Sequence, residues 1–355
     1  MSASRLYHCY VPRLSKVACL MLVLALSACA PRQAAKLAPP SPLASTERIY
    51  VTTELALDNL GPIFGENRPK GQNYMHVDVS IPPTHKPGKI SWPKGPPDAA
   101  TDFVVTDLQV YRNAPAMIGS MRRDMPGEET LVYVHGYNST FSESVYRFAQ
   151  IRADFGGSEP GMLYSWPSAG DPRGYAYDRD SVLTARDDFE ATLNALTQGS
   201  NKTVVLLAHS MGAHLVMETL RQAALSGNRR LLNRINAVVL MSPDIDPDVF
   251  RSQAEAIGTL PDPFLIFISK QDRALSLAGL LTGRKPRLGV IDSTDAVAGL
   301  DVKVIDFTAL GDGEELNHNV PFTSPAAISV LKGMIAQTQA GETPFRDYTV
   351  LTAKP

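Results

Sequence analysis

Short, mostly apolar runs alternate along this chain with longer segments whose apolar residues recur at helical spacing. The runs have the length of buried strands and cover residues 130–134, 204–207, 238–241, 264–268 and 302–307. Helical spacing is clearest in residues 181–198, where one face carries Val182, Ala185, Phe189, Leu193 and Leu196. Strands that alternate with helices in this way predict an α/β fold with a mostly parallel sheet flanked by helices.

The chain ahead of residue 130 extends this pattern. Ordered structure is predicted to begin at Ile49–Thr53, and Met75–Val79 and Phe103–Leu108 are predicted strands of an N-terminal extension to the sheet. Proline, alanine and serine dominate the segment ahead of Ile49, which is typical of a tether. We therefore predict a tether over residues 29–46 and a single domain over residues 47–355.

A serine stands between a predicted strand and a predicted helix, in the segment Ala208-His209-Ser210-Met211-Gly212. So tight a strand-to-helix turn is a nucleophile elbow, which forces the hydroxyl out at the end of the sheet. The Met211 N–H would lie at a helix N-terminus, where partial positive charge can hold an oxyanion. Ala208 stands where glycine is usual and keeps the position small. The alternative is an ordinary turn with a serine cap.

A serine hydroxyl is a weak nucleophile and needs a base. After such an elbow the acid comes next in the chain and the base follows the acid. Of the seven histidines, only His214 and His318 follow Ser210. His214 is one helical turn past the serine and cannot swing back over the hydroxyl. His318 lies in a polar loop ahead of a final helix opened by Ser324 and Pro325, so His318 is the predicted base.

Two aspartates could orient this histidine. Asp272 follows the strand 264–268, one strand before the strand that precedes the histidine, which is the usual position of the acid. Asp244 follows the earlier strand 238–241, where the acid is found in some enzymes with such an elbow. We predict Asp272 as the acid and keep Asp244 as the alternative acid, or as a turn or pocket residue beside the site.

The second oxyanion donor is expected in the loop His135-Gly136-Tyr137-Asn138, which follows the strand 130–134. Gly136 lets the backbone turn so that the N–H of Tyr137 or Asn138 faces the serine. Met211 and Tyr137 are the predicted oxyanion donors. His135 precedes the serine in the chain and is predicted to brace the loop.

From Thr130 to Leu331 these elements together resemble the α/β-hydrolase superfamily. More narrowly, the chain is similar to a bacterial family of uncharacterised esterase- or lipase-like α/β-hydrolases. The resemblance implies the α/β-hydrolase fold and serine hydrolase chemistry, but it supplies no substrate. The segments that carry the narrower similarity are His135–Asn138, Tyr164–Ser168, Tyr177–Arg179, Ala208–Gly212, Ser242–Asp246 and Asp272–Leu275.

The predicted function is that of a carboxylesterase in the bacterial envelope. Ser210 attacks the ester carbonyl, His318 takes the serine proton and Asp272 holds the imidazole. An acyltransferase with the same triad is one alternative. The other is a non-catalytic envelope lipoprotein on a hydrolase scaffold, which the ordered triad disfavours. Four aromatic residues either line an acyl pocket or pack as part of an ordinary loop: Tyr164, Trp166, Tyr175 and Tyr177.

No cofactor or metal is expected. Asp244, Asp246 and Asp248 resemble the start of a calcium loop, but Val249 stands where that loop requires glycine and Pro247 stiffens it.

The first 28 residues are a predicted lipoprotein signal peptide. Arg5, Arg13 and Lys16 form a basic region ahead of the short apolar run 17–26, and Leu26-Ser27-Ala28-Cys29 fits a lipobox. Cleavage would leave Cys29 carrying acyl chains, which together anchor firmly. Ala30 follows, so retention in the inner membrane is not signalled and the outer membrane is the predicted location.

Charge and cysteine content agree with this placement. Of the three cysteines, Cys9 and Cys19 leave with the signal and Cys29 carries lipid, so the mature chain has no thiol for a disulfide. Loss of the signal shifts the formal charge from −2 to −5, and no basic patch suggests nucleic acid as a partner. The expected partners are a small-molecule or lipid ester and the membrane that holds the anchor. The sequence does not set the oligomeric state.

Overall fold

A computed structural model of the chain describes residues 32–283, 285–311, 313–340 and 348–352. Within these residues one ten-stranded sheet is flanked by helices. The strands are β1 (Ser45–Thr53), β2 (Asn73–Ile81), β3 (Val104–Tyr111), β4 (Glu129–Val134), β5 (Gly161–Ser165), β6 (Thr203–His209), β7 (Ile235–Met241), β8 (Phe264–Ile268), β9 (Lys303–Asp306) and β10 (Tyr348–Val350). The α-helices are α1 (Ala114–Asp124), α2 (Phe141–Phe155), α3 (Tyr175–Leu196), α4 (Met211–Leu225), α5 (Arg229–Leu232), α6 (Pro247–Ile257), α7 (Arg273–Leu281), α8 (Val320–Thr323) and α9 (Pro325–Gln339). Short 3₁₀ helices cover Leu288–Val290, Thr294–Val297, Thr308–Leu310 and Glu314–Asn317.

The sheet is mostly parallel, as the alternation of strands and helices predicts. Its strands follow the order β10-β9-β8-β7-β6-β4-β5-β1-β2-β3. Every pair from β10 to β1 is parallel, and only β1–β2 and β2–β3 are antiparallel. The carboxyl ends of the parallel strands therefore share one edge, which is where open α/β sheets bind ligands.

The apolar core lies on both faces of the sheet. On one face Leu206 of β6 packs with Phe189 of α3 and Leu215 of α4, and all three are fully buried. The other face carries Phe148 of α2. Leu207 points to that second face and is only partly buried, so the apolar run that predicts β6 is buried unequally on its two sides.

The start of α2 illustrates how local sequence sets a helix boundary. The Glu143 N–H donates to Thr140 Oγ1 over 3.3 Å, and the Thr140 N–H donates to Glu143 Oε2 over 3.0 Å. This capping box satisfies two N–H groups that the first helical turn leaves unbonded. The helix ends at Gly156, whose φ of 71° is readily adopted by glycine.

The N-terminal strands of the sheet are confirmed, but the segment ahead of them is not all tether. The Val105 N–H donates to Lys36 O over 2.9 Å, and the Ala38 N–H donates to Val105 O over 3.0 Å. Lys36 to Ala38 therefore pair with β3, which contradicts a tether that runs to residue 46. The sequence could not predict this backbone pairing, because a high content of proline and alanine does not show whether a strand edge lies nearby.

The predicted signal peptide and the lipidation residue Cys29 lie outside the described residues. Among the helices that are described, none combines the length and the apolar character needed to cross a membrane.

Candidate active site

Ser210 occupies a strained backbone position between β6 and α4. Its φ is 52° and its ψ is −119°, a region that residues with a side chain rarely adopt. The Ser210 N–H donates to Met241 O over 2.9 Å, and the Asp244 N–H donates to Ser210 O over 3.1 Å. These two bonds fix the backbone on both sides of the turn and so hold the serine at the carboxyl edge of the sheet.

Two glycines allow the backbone after β4 to pass against this turn. A Cβ on Gly212 would lie 2.3 Å from His135 O and 2.7 Å from Val134 O. A Cβ on Gly136 would lie 3.0 Å from the Cβ of Ser210. All three distances are shorter than van der Waals contact. The small residues expected around the serine are thus required because β4 and its loop lie directly on the elbow.

His318 and Asp272 come together at the same edge of the sheet. His318 Nδ1 lies 2.6 Å from Asp272 Oδ2, and Asp272 is fully buried. The other carboxylate oxygen, Oδ1, accepts the Leu275 N–H over 2.9 Å and caps α7. Burial lowers the pKa of the His318 imidazole, but the charge and hydrogen bond of Asp272 outweigh burial, so the net pKa lies above its usual value.

His209 links the histidine loop to the elbow. Its ring centroid lies 4.6 Å from that of His318 and 5.3 Å from that of Phe322. Since His209 directly precedes Ser210, this packing places the His318 ring beside the turn that carries the serine. Burial holds the pKa of His209 well below its usual value, so it stays neutral next to His318.

Asp244, the alternative acid, is engaged elsewhere. Arg287 Nε donates to Asp244 Oδ1 over 2.6 Å, and the Tyr175 hydroxyl donates to Asp244 Oδ2 over 3.0 Å. Arg287 and Asp244 are each 2 % exposed, so this is a buried ion pair. The structure therefore pairs His318 with Asp272 and leaves Asp244 in a buried ion pair with Arg287. The sequence gave no indication that Arg287, 43 residues later in the chain, would pair with Asp244.

His135 braces the loop after β4. Its ring stacks on Trp166 with centroids 5.0 Å apart and planes 9° apart. Trp166 Nε1 donates to the His135 carbonyl over 2.8 Å. Burial lowers the pKa of His135 to about 4, so this histidine stays neutral near pH 7. These contacts are those of a bracing residue and not of a base.

Asp178 is a functional residue that sequence reasoning missed. This fully buried carboxylate accepts the Asn138 N–H over 3.0 Å, the Ser168 hydroxyl over 2.6 Å and the Ala169 N–H over 2.6 Å. It thereby ties the loop after β4 to the loop after β5. The Asn138 N–H is committed to this bond, which favours the Tyr137 N–H as the donor toward the serine. The only signal was the family-like segment 177–179.

The four aromatic residues lie in three different places. Tyr164 and Trp166 are fully buried in the core. Tyr175 packs edge-on against Tyr137 with centroids 5.3 Å apart, and so lies beside the elbow loop. Tyr177 packs under the Arg68 guanidinium, 4.1 Å from the ring centroid. Only Tyr175 is placed to form a wall of the site.

Among the described residues one group of side chains has the spacing of a metal site. His76, Asp78 and Asp107 offer ligand atoms within 4.8 Å of one another. They lie on β2 and β3, the antiparallel end of the sheet. Arg48 donates to both oxygens of Asp78 over 2.7 Å, so a cation already neutralises that carboxylate. The arrangement is that of a polar network beneath a sheet edge.

Comparison with known proteins relates the chain to one family. Residues 115–337 match the family described as α/β hydrolase of unknown function, DUF900. The match includes Ser210, Asp272 and His318 but leaves out β1, β2 and β3. None of the curated proteins matches the chain. With the match, the ten-stranded sheet and its helices are an α/β-hydrolase fold.

Solved structures of hydrolases resemble the chain at low identity. A dienelactone hydrolase from Anabaena variabilis has 11 % identity and a TM-score of 0.37, with 77 % of this chain and 93 % of that chain covered. A fungal esterase structure from Rhizomucor miehei has 13 % identity and a TM-score of 0.34, with 93 % and 92 % covered. Brefeldin A esterase, a bacterial protein, has 15 % identity and a TM-score of 0.38, with 92 % and 84 % covered. Likenesses at this level do not identify a substrate.

Proposed function

Because the chain belongs to the DUF900 family of α/β hydrolases, we propose that it is a serine hydrolase, and most simply a carboxylesterase. The observation that carries the proposal is the buried pair of His318 and Asp272, with a donor–acceptor distance of 2.6 Å, beside the strained turn of Ser210. A histidine held by a buried carboxylate next to a serine on an elbow is the arrangement that acyl-enzyme chemistry requires.

In the proposed reaction Asp272 accepts the Nδ1–H of His318, which leaves the lone pair on Nε2. His318 Nε2 takes the proton of the Ser210 hydroxyl as Oγ bonds to the ester carbonyl carbon. The carbonyl oxygen gains negative charge, and the N–H groups of Met211 and Tyr137 donate to it. The protonated His318 gives its proton to the leaving alcohol as the ester bond breaks. Water then repeats the sequence and releases the acid.

The other histidines near the elbow fit this division of roles. Burial is the main reason that the pKa values of His135 and His214 are lowered to about 4. The pKa of His209 is lowered further, also mainly by burial. Of these four histidines, His318 alone has a net raised pKa, because the charge and hydrogen bond of Asp272 outweigh its burial, so the proton taken from the serine is best held there.

A fluorophosphonate probe tests the proposal directly. We expect one adduct per chain, and peptide mass spectrometry should place it on Ser210. The labelling rate should fall as the pH drops through the raised pKa of His318, because the protonated imidazole cannot take the serine proton. Heat-unfolded protein is the control and should lose the selectivity. An adduct on another serine, or no adduct on folded protein, would rule out the mechanism.

We also propose that the enzyme is a lipoprotein of the outer membrane, facing the periplasm. The support is the segment Leu26-Ser27-Ala28-Cys29 after a short apolar run, with Ala30 following the cysteine. Since Lys36 already pairs with Val105, the chain between Cys29 and the sheet can reach at most about 25 Å when fully extended. The β3 edge of the domain would therefore stay close to the lipid surface.

Replacing Cys29 with serine should leave an unprocessed precursor, because the signal peptidase for lipoproteins cuts only after the thioether has formed. The wild type should partition with outer membranes and carry acyl mass on its N-terminus. As a control, a chain that begins at Ala35 keeps the pairing of Lys36 with Val105 and should be free of membranes yet active on small esters. Mature wild-type protein in the soluble periplasmic fraction, with an unmodified Cys29, would contradict the anchor.

A further inference from the structure

Helices α3 and α4 lie side by side, and their contacts fix a register. Arg186 Nη1 of α3 lies 3.7 Å from Glu218 Oε2 of α4. One turn further, Gln222 Nε2 of α4 donates to Glu190 Oε2 of α3 over 2.9 Å. Both contacts join residues 32 positions apart, and both helices advance in the same direction between them. The helices are therefore parallel, and residues 32 positions apart lie at the same level.

This register places Arg179 beside the elbow. Going back two turns, about 10 Å on each helix, brings Arg179 level with Met211, the residue after Ser210. Tyr175 lies one turn further on the same face of α3, and its hydroxyl donates to Asp244 Oδ2 over 3.0 Å. The Asp244 N–H donates to Ser210 O over 3.1 Å. Arg179 thus lies on the face of α3 that borders the elbow.

The Arg179 guanidinium has no ion pair or side-chain hydrogen bond with any residue that the structure describes, although it is partly buried. Two carboxylates near this face of α3 are already paired with other arginines. The carboxylate of Asp244 is neutralised by Arg287 at 2.6 Å. Glu218 faces Arg186. Arg179 therefore brings a positive charge, with no ion pair among the described residues, to the face of α3 that borders the elbow.

Two further titratable groups on this side of the elbow, His214 and Tyr175, are neutral near pH 7. Burial, with Arg179 and Arg287 adding to it, lowers the pKa of His214 to about 4. Burial and the carboxylate of Asp244 raise the pKa of Tyr175 above its usual range. His214 and Tyr175 can thus offer hydrogen bonds but no charge. A lone arginine with five N–H donors beside neutral polar groups is suited to carboxylate or phosphate oxygens.

We propose that Arg179 is a specificity-determining residue that binds an anionic oxygen group of the substrate, so that the enzyme prefers esters carrying a carboxylate or a phosphate near the scissile bond. This inference rests on the proposed function of Ser210. It adds the chemical class of the substrate. A carboxylate and a phosphate present the same oxygens to a guanidinium, and the two are separated by test compounds.

The test compares an ester that carries a carboxylate with a neutral analogue of similar structure. On the acyl side the pair is p-nitrophenyl butyrate and mono-p-nitrophenyl succinate. On the alcohol side the pair is phenyl acetate and 4-acetoxybenzoate. The measured quantity is the ratio of kcat/KM for the anionic and the neutral ester. In Arg179→Gln this ratio should fall about tenfold to a hundredfold for at least one pair, the usual effect of losing a hydrogen bond to a charged group.

The matched control is Arg221→Gln. Arg221 lies on α4, and its replacement removes the same charge as Arg179→Gln, but Arg221 is about 15 Å along the helix from Met211. Its ratios should stay within about twofold of the wild type, whereas a general effect of net charge would lower them as in Arg179→Gln. Equal ratios in wild type and Arg179→Gln for both pairs, or equal falls in the two variants, would overturn the proposal.

Binding distinguishes failure of this inference from failure of the hydrolase mechanism. Titration calorimetry of Ser210→Ala with monomethyl succinate and with inorganic phosphate should show binding that Arg179→Gln weakens about tenfold or more. Whichever of the two compounds binds more tightly shows whether the subsite prefers a carboxylate or a phosphate. If the wild type reacts with neither ester nor fluorophosphonate, the mechanism is wrong, and Arg179-dependent binding still supports the subsite. Absence of such binding for both probes overturns the subsite even in an active hydrolase.

Discussion

Ser210→Ala should lower kcat/KM for p-nitrophenyl esters by about 10⁴- to 10⁶-fold, the usual loss when a triad member is removed. The reason is that the Ser210 hydroxyl lies on the turn beside the pair of His318 and Asp272. The fold should survive, because backbone hydrogen bonds hold the turn. The Ser210 N–H donates to Met241 O over 2.9 Å, and the Asp244 N–H donates to Ser210 O over 3.1 Å. Release of p-nitrophenolate and the Tm measure the two effects.

Ser242→Ala is the matched control for this variant. Ser242 also follows a strand of the sheet, is also buried and also has a positive φ, 45° against 52° for Ser210. The Ser242→Ala variant therefore also loses a serine hydroxyl from a comparably strained turn, on the neighbouring strand. This turn is not the one against which the His318 ring packs. Near-normal turnover by folded Ser210→Ala would end the serine mechanism, and a comparable loss in Ser242→Ala would show that the assay reports damage to the sheet edge.

Asp272→Asn should cost about 10⁴-fold in kcat with little loss of stability. An asparagine can still accept the Leu275 N–H through Oδ1 and so keep the cap of α7, whose bond to Asp272 is 2.9 Å long. Its amide, however, donates toward His318 Nδ1 and holds the imidazole in the tautomer that cannot take the serine proton. Steady-state kinetics from pH 5 to 9, together with the Tm, separate the loss of tautomer control from unfolding.

Asp244→Asn should behave in the opposite way. It leaves the buried Arg287 guanidinium without its carboxylate, a change that costs on the order of 3 kcal/mol of folding stability. We expect a clearly lower Tm and a far smaller loss of kcat per folded molecule than for Asp272→Asn. If Asp244→Asn lost more kcat than Asp272→Asn at temperatures where both are folded, the acid would have to be reassigned to Asp244.

Local patterns explain why much of the fold could be predicted. A parallel strand buried on both faces must be apolar along its length, and β8 shows this in sequence. Thr140 and Glu143 define the start of α2 because a capping box is complete within four residues. The elbow is equally local, since Ser210 and Gly212 meet a requirement set by one turn. Such features depend on neighbours in the chain, so they can be seen without the fold.

Contacts between distant residues could not be predicted in the same way. The pairing of Lys36 with Val105 overrules a composition that is typical of a tether, because a strand edge offers backbone groups to any segment that reaches it. Asp178 holds the loops after β4 and β5 through three hydrogen bonds, yet in sequence it is one acidic residue among several on a helix.

By itself the sequence determined the alternation of strands and helices, the serine elbow, and a histidine after the last long strand with an aspartate one strand earlier. These follow from the periodicity and order of the chain. Only the tertiary structure decided which aspartate meets His318 and which meets Arg287, and it alone placed Arg179 level with Ser210. Those outcomes depend on how strands pair and on the register of α3 against α4, and long-range packing sets both.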